Sequence, residues 1–337
     1  MRFYNIQILR FLAAAGVVLY HGHYYVGALV WNTPLVRFFD VRYSWGVLLF
    51  FAISGFVVSH SLSRTTPGRF LAMRLVRIYP AFWLAAAIVI VVRFAAGGHP
   101  MSAGLLPALT LLPVGGADYP LGGVEWSLVY EVFFYAVLAA IALVPARNAR
   151  EWAMLAWLAA IGGAALLGWT QPAPFAPTFG DIALSALNLP FIAGVLAHSW
   201  HRHFGRAPIA ILVASVPLAL MAADRVTAPA LQPAFLAAGF AALVLLAAEL
   251  ARRWNASPAN PLVKLGDWSY GLYLVHVPVI LAVLAGSPFE AAGADDAFVT
   301  AVSTALVAGC AYGWIETRMY RRNKAALERR WPKRPDR

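Results

Sequence analysis

The sequence has few charged residues and a single cysteine. Only 12% of its 337 residues are charged, whereas ordinary soluble domains contain about 25%. Hydrophobic residues make up 61%, and the mean hydropathy is +0.69. The lone Cys310 excludes an internal disulfide, and the long unbroken apolar runs exclude the alternating pattern of an outer-membrane barrel. The composition therefore predicts an all-α, polytopic membrane protein.

Familiar catalytic signatures are missing as well. The chain has no metal-ligand spacing, no glycine-rich phosphate loop and no nucleophile elbow. We therefore expect no metal at the site, and we look for chemistry among ionisable side chains inside apolar segments, where function is the default interpretation.

Ten apolar windows each reach roughly the 17 to 25 residues that a helical span needs. They lie at 6–27, 45–62, 79–97, 127–145, 152–169, 181–200, 207–223, 231–250, 269–286 and 297–317. A shorter, proline-flanked run at 102–113 is predicted to form a re-entrant or interfacial helix.

The basic residues sort by side of the membrane. If the N-terminus is cytoplasmic, most of the 26 lysines and arginines fall inside, and only Arg37, Arg42 and Arg225 fall in outer loops. The positive-inside rule then predicts that both termini are cytoplasmic. We divide the chain into a transmembrane domain, 1–317, and a basic cytoplasmic tail, 318–337, near anionic lipid.

The first window carries two ionisable residues, Arg10 and His21. Eleven residues of helix return almost to the same direction, so the two side chains lie on one face about 16 Å apart. A lone buried histidine in a soluble core is often only packing, but in a span it indicates a functional site.

Arginines also cluster after the second window, in "RFLAMRLVRIYP". Arg74 and Arg77 are one turn apart on a short helix that we expect to end before Pro80. They are either a positive-inside anchor or, together with Arg10, a site for the phosphates of a nucleotide-like donor.

The fourth window begins with "EWSLVYEVFFY". Ser127, Glu131 and Tyr135 follow at intervals of four residues and form a polar stripe on one helix face. The depth expected for Glu131 is close to that of His21, so the two could pair as a general base and its orienting group. The alternative is a structural Glu131 bonded to a neighbouring helix.

Two further windows contribute polar residues. In "LGDWSYGLYLVHVP", Tyr273 and His276 share a stripe, and His276 is either a second catalytic group or a packing residue. In "FFAISGF", Ser54 and Gly55 favour close approach of two helices. Glu316, near the end of the last window, is expected to pair with an arginine.

Together, these segments resemble the acyltransferase-3 family of integral membrane acyltransferases. The resemblance rests on the Arg10 and His21 spacing, "LLFFAISGF", "RLVRIYP", "EWSLVYEVFFY" and "LGDWSYGLYLVHVP", in that order. The chain departs from the family in two places. Leu48 stands where many members have an acid, and no proline follows Glu316.

The resemblance implies O-acyl transfer, commonly of acetyl, from cytoplasmic acetyl-CoA or another acyl-CoA to a hydroxyl of a glycan or lipid-linked glycan outside. It implies a bacterial inner-membrane location, with membrane lipids and no nucleic acid as partners. His21 would be the base and Glu131 its orienting group. The donor phosphates would lie on Arg10, Arg74 and Arg77, and the acceptor pocket would be shaped by Ser54, Trp126, Ser127, Tyr135, Tyr273 and His276.

Two alternatives stay open at this point. Transfer is either direct or through an acyl-histidine relay at His21. Intramembrane His, Glu and Arg also build proton relays, so the other class of function is a proton-coupled transporter or a glycan-export component.

Overall fold

The computed structural model describes residues 3–30, 33–97, 103–144, 148–169, 175–203, 208–226, 231–286 and 293–331. These residues are helices, turns and loops, and the only sheet-like feature among them is an isolated bridge between Val114 and Thr178. The all-α prediction is confirmed.

In the described part of the chain, ten helices have 15 or more residues. They are α1 (Tyr4–Leu29), α3 (Gly46–Leu62), α4 (Pro67–Ala95), α6 (Glu125–Ile141), α7 (Ala149–Leu166), α9 (Leu189–His203), α10 (Ile209–Arg225), α11 (Leu231–Arg253), α12 (Pro261–Gly286) and α13 (Ala294–Arg330). Shorter helices are α2 (Pro34–Phe38), α5 (Leu105–Thr110) and α8 (Phe179–Ala183), and 3-10 turns precede α3 and α9 at Val41–Trp45 and Ala186–Asn188.

Each of the ten apolar windows overlaps one long helix. Within the described ranges, five helical stretches are long and apolar enough to cross a membrane. They are Val41–Leu62, Pro67–Ala95, Leu231–Arg253, Pro261–Gly286 and Ala294–Arg330. Crossing by the other helices and the cytoplasmic position of both termini stay predictions.

Two helix boundaries differ from the expected ones. Helix α4 begins at Pro67 and continues through Pro80, so Arg74 and Arg77 lie inside a 29-residue helix and not on a separate short one. Proline is tolerated within such helices because neighbouring groups satisfy the freed carbonyl. Helix α13 continues past residue 317 to Arg330, and Glu328 lies 3.8 Å from Arg69 of α4. Residues 332–337 of the predicted tail lie outside the described residues.

The predicted interfacial segment contains a helix of six residues, α5, about 9 Å long. The Tyr79 hydroxyl donates to the Thr110 carbonyl at 2.5 Å, and the Trp83 indole donates to the Leu109 carbonyl at 2.9 Å. These bonds hold α5 against α4, and Ser102 of the predicted segment lies outside the described residues.

Glycines allow the helices that carry the site to pack closely. A methyl group at Gly266 of α12 would collide with the Gln7 carbonyl of α1. One at Gly55 of α3 would collide with the Phe191 carbonyl of α9. The prediction that Gly55 permits close helix approach is confirmed, and the α1–α12 contact brings the two helices with predicted histidines together.

Candidate active site

One cavity collects most of the predicted site residues. It lies between α1, α3, α4, α6 and α12. Its polar lining includes the three predicted arginines, one carboxylate and several hydroxyls. These residues are Arg10, Ser54, Arg74, Arg77, Ser127, Glu131, Tyr135, Ser269, Tyr270 and Tyr273.

Two of the three arginines have no carboxylate partner in the described part of the chain. Among the described residues, Arg10 bonds only the Gln7 side chain, at 3.3 Å, and forms no ion pair. Arg74 lies over the rings of Phe70 and Tyr135, and its buried Nε has no hydrogen-bond partner in the described part of the chain. A cation with a spare donor in a partly apolar cavity is suited to bind an anion.

Arg77 differs, because it forms an ion pair with Glu316 of α13. Glu316 is 1% exposed, and the Arg77 guanidinium also lies over the rings of Tyr270 and Tyr320. The prediction that Glu316 pairs with an arginine is confirmed. Arg77 therefore joins α4 to α13 and has less charge to offer a ligand than Arg10 or Arg74.

Helix α6 begins inside the protein, at a turn held by Glu125. This fully buried carboxylate accepts hydrogen bonds from the backbone N–H groups of Leu121, at 2.6 Å, and Gly123, at 3.1 Å. Gly122 and Gly123 have φ values of 78° and 93°, which glycine adopts readily. The turn fixes the register of the polar stripe on α6.

The first member of that stripe meets α12. The hydroxyls of Ser127 and Tyr273 lie 2.7 Å apart, and both are within 3.1 Å of the Val124 carbonyl. Both residues are buried and line the cavity, as predicted for a substrate pocket.

His21 and His276 form a pair beyond the cavity lining. Nε2 of His276 lies 3.1 Å from Nδ1 of His21, and the ring centroids are 4.9 Å apart. His276 is fully buried, whereas His21 is half-buried. The backbone carbonyl of Tyr273 connects the pair to the cavity, because it lies 2.7 Å from Nδ1 of His276.

The acceptors around the pair assign the protons on both rings. A carbonyl oxygen can only accept, so Nδ1 of His276 carries a hydrogen and donates it to Tyr273. In a neutral ring, Nε2 of His276 is then an acceptor. Nδ1 of His21 lies 3.0 Å from the Val17 carbonyl and 3.1 Å from Nε2 of His276. Both of these groups are acceptors, so Nδ1 of His21 carries a hydrogen and donates it to both. Nε2 of His21 keeps its lone pair and has no hydrogen-bond partner among the described residues.

Glu131 is not the partner of His21. Its carboxylate accepts a hydrogen bond from the Tyr135 hydroxyl, and among the described residues it makes none with His21. The expected match in depth fails because α6 starts inside the protein. Ser127 of α6 lies beside Tyr273 of α12. His276 is one turn from Tyr273 along α12, and Glu131 is one turn from Ser127 the other way along α6. Glu131 and His276 are therefore about 11 Å apart along the helix axes.

Two other residues, Trp126 and Asp40, make structural contacts outside the cavity. Trp126, predicted for the pocket, does not line the cavity, and it packs edge-on against Phe51 and Tyr130. Outside the membrane-spanning segments, hydrogen bonds from the Arg42 side chain hold the pKa of Asp40 below its usual range. Asp40 therefore serves the turn before α3.

The pattern of motifs failed to single out Tyr270. Its ring faces the Arg77 guanidinium at 5.3 Å, and its hydroxyl donates to the Ile78 carbonyl at 3.0 Å. The available signal was its position three residues before Tyr273, on the same helix face.

Comparison with known proteins identifies the architecture that carries this site. A family model for an acyltransferase domain, acyltransferase-3, matches residues 3–313. The chain belongs to the acyltransferase-3 family. Its apolar helices and its membership of that family make it an integral membrane protein with the machinery of an acyltransferase.

Two curated relatives match over most of their length. Exopolysaccharide production protein ExoZ of Rhizobium meliloti (strain 1021) is 28% identical in an alignment of 311 positions that covers 83% of this chain and 90% of the relative. Nodulation protein 10 of Rhizobium leguminosarum bv. viciae is 29% identical in an alignment of 331 positions that covers 83% of this chain and 84% of the relative. No solved structure matches the chain significantly.

Proposed function

We propose that this acyltransferase-3 protein moves an acyl group, acetyl in the first instance, from cytoplasmic acyl-CoA to a hydroxyl of a surface polysaccharide or its lipid-linked precursor. The name of the relative ExoZ, an exopolysaccharide production protein, supports a glycan acceptor. The proposal places the protein in a bacterial inner membrane.

The observation that carries the proposal is the arrangement along α1. On this one continuous helix, Arg10 lines the cavity and His21 contacts His276 of α12. Arg10 and His21 are about 16 Å apart along the helix axis. A donor with anionic groups at one end and a thioester at the end of a long arm suits this separation. Arg10 and Arg74, which have no carboxylate partner among the described residues, would hold the phosphates.

The chemistry is a direct transfer with His21 as general base. As the acceptor oxygen attacks the thioester carbon, Nε2 of His21 takes the hydroxyl proton. The carbon–sulfur bond breaks, and the imidazolium returns the proton to the departing thiolate, so an ester and free CoA form. His276 takes the orienting role first expected of Glu131, since it accepts the Nδ1 hydrogen of His21.

The test uses the full chain purified in nanodiscs, with radiolabelled acetyl-CoA and de-O-acetylated surface polysaccharide of the producing strain. We expect label in the polysaccharide, and none above background with His21→Ala at normal yield and melting temperature. Full transfer by His21→Ala would refute the proposal. Because no gradient is present, transfer in this assay also separates the enzyme from a proton-coupled transporter or an export component.

A second measurement separates direct transfer from a relay. Mass spectrometry of protein incubated with acetyl-CoA alone should show no acetyl adduct on the Tyr4–Leu29 segment. An adduct that disappears in His21→Ala would establish the acyl-histidine route.

A further inference from the structure

We infer that Tyr20, Tyr24 and Tyr25 form a sugar-binding platform beside His21 that holds the acceptor glycan. The inference deepens the proposed function and rests on it, because that function makes His21 the base. These tyrosines were no part of the predicted site.

Two of the three rings contact the His21 imidazole, and the third contacts those two. Tyr20 lies 5.1 Å from it, centroid to centroid and edge-on, and Tyr25 lies 6.1 Å away and nearly parallel, at 22°. Tyr24 joins the other two, 6.2 Å from Tyr20 and 5.1 Å from Tyr25. A hydroxyl presented to Nε2 of His21 would bring its own sugar ring against these side chains.

The platform projects past the end of α3. Gly46, the first residue of α3, packs against Ala13 and Val17 of α1, whereas His60 near its other end packs against Phe3. Tyr24 is on the same face of α1 as Ala13 and Val17, within about 20° of each around the helix axis. Along that axis, it lies about 16 Å beyond Ala13 and about 10 Å beyond Val17. It therefore lies beyond the start of a helix whose Val47 and Phe50 line the cavity.

The opposite side of α1 is closed by packing. A methyl group at Gly22, about 160° around the helix from Tyr24, would collide with Val302 of α13. Tyr24 on the open side is 53% exposed. Tyr20 lies about 40° from Tyr24 around the helix and shares this open side. Tyr25 lies about 60° from Gly22, is half-buried and contacts His21 from the packed side.

The hydroxyls of the platform are unused. Among the described residues, those of Tyr20, Tyr24 and Tyr25 form no hydrogen bond within the protein. They are therefore available to bond a ligand.

This combination fits a carbohydrate. A tyrosine presents an apolar ring face, which packs against the C–H face of a pyranose, and a hydroxyl, which bonds a sugar hydroxyl. Tyrosines also occur at membrane–water interfaces as lipid anchors. An anchor needs rings but gives no reason for two of them to contact the proposed base.

The experiment measures glycan binding separately from catalysis. The probe is a fluorescent oligosaccharide cut from the de-O-acetylated surface polysaccharide, titrated against full-length protein in nanodiscs. Tyr20→Phe and Tyr24→Phe remove one hydroxyl each, and Tyr24→Ala also removes the ring. Phe94→Ala is the matched control, because Phe94 on α4 is 72% exposed and far from the platform in the chain.

We expect each Phe variant to raise the Kd about three- to tenfold, as for loss of one hydrogen bond. Tyr24→Ala should raise it by roughly tenfold or more, and Phe94→Ala should leave it unchanged. A Kd for Tyr24→Ala within twofold of wild type, or no binding by wild type, would overturn the platform. A lower melting temperature for Tyr24→Ala with an unchanged Kd would assign Tyr24 to lipid anchoring and would also overturn it.

The same titration with His21→Ala separates the two proposals. Retained oligosaccharide binding with lost transfer supports both the platform and the base. Retained transfer in His21→Ala refutes the base, while the tyrosine series still decides the platform.

Discussion

Nε2 of His276 accepts the Nδ1 hydrogen of His21 across 3.1 Å, although 255 residues separate the two in sequence. In the proposed mechanism, this relationship makes His276 a positioning residue, since it fixes which nitrogen of His21 carries the hydrogen. It also explains why a histidine that does not line the cavity is fully buried on α12.

The first prediction concerns this pair. His276→Phe removes the acceptor, so the His21 ring keeps only the Val17 carbonyl and loses its fixed orientation. We expect kcat to fall about 10- to 100-fold, which is part of a typical general-base contribution, with an unchanged KM for acyl-CoA.

His276→Gln is the matched control for this prediction, because its amide oxygen can accept the same hydrogen. It should recover part of the lost kcat. If Phe and Gln at this position gave equal rates, His276 would be a packing residue only.

The second prediction assigns Arg10 and Arg74 to the donor. Arg10→Ala or Arg74→Ala should raise the KM for acetyl-CoA about tenfold or more, as expected for loss of a charge-assisted hydrogen bond, with little change in melting temperature. The measurement is donor titration at fixed polysaccharide.

Desulfo analogues that keep the phosphates provide the control for the second prediction, as competitive inhibitors. They should lose potency by the same factor in each variant. Unchanged inhibition would assign both arginines to orientation in the membrane.

The third prediction separates Arg77 from the other two arginines. Arg77→Ala leaves Glu316, which is 1% exposed, without its cation, and such losses cost about 3–5 kcal/mol. We therefore expect a large drop in melting temperature or expression. The double variant Arg77→Met with Glu316→Leu should recover much of it, and a stable Arg77→Ala protein with weak donor binding would contradict this division.

Helix periodicity was sufficient to predict some of the site. The spacing of Arg10 and His21 depends only on the geometry of one helix, and α1 is continuous between them. The same holds for the predicted stripe of Ser127, Glu131 and Tyr135, which share a face of α6 and line one cavity. Hydropathy likewise located the long helices, because the length and apolar content of a segment are visible in the sequence.

Contacts between helices could not be predicted in this way. The His21–Glu131 pairing assumed that α6 starts at the membrane surface, whereas the Glu125 turn starts it inside the protein. Arg77 pairs with a residue 239 positions away. Such partners depend on how helices pack, and the packing is set by small residues whose neighbours cannot be identified from one sequence.

The last prediction tests that packing at Gly266. In Gly266→Ala the added methyl group meets the Gln7 carbonyl, so α1 and α12 must separate or shift. Gln7 is one turn before Arg10, and the same two helices carry His21 and His276, so the change should lower both the melting temperature and kcat. Overpacking of this kind costs about 1–3 kcal/mol.

Gly162→Ala is the control, because Gly162 in α7 has open space around it, and alanine there should leave stability equal or higher. Fluorescence-detected size exclusion after heating measures both variants, and equal melting temperatures would mean that close approach at Gly266 does not hold the two histidine helices together.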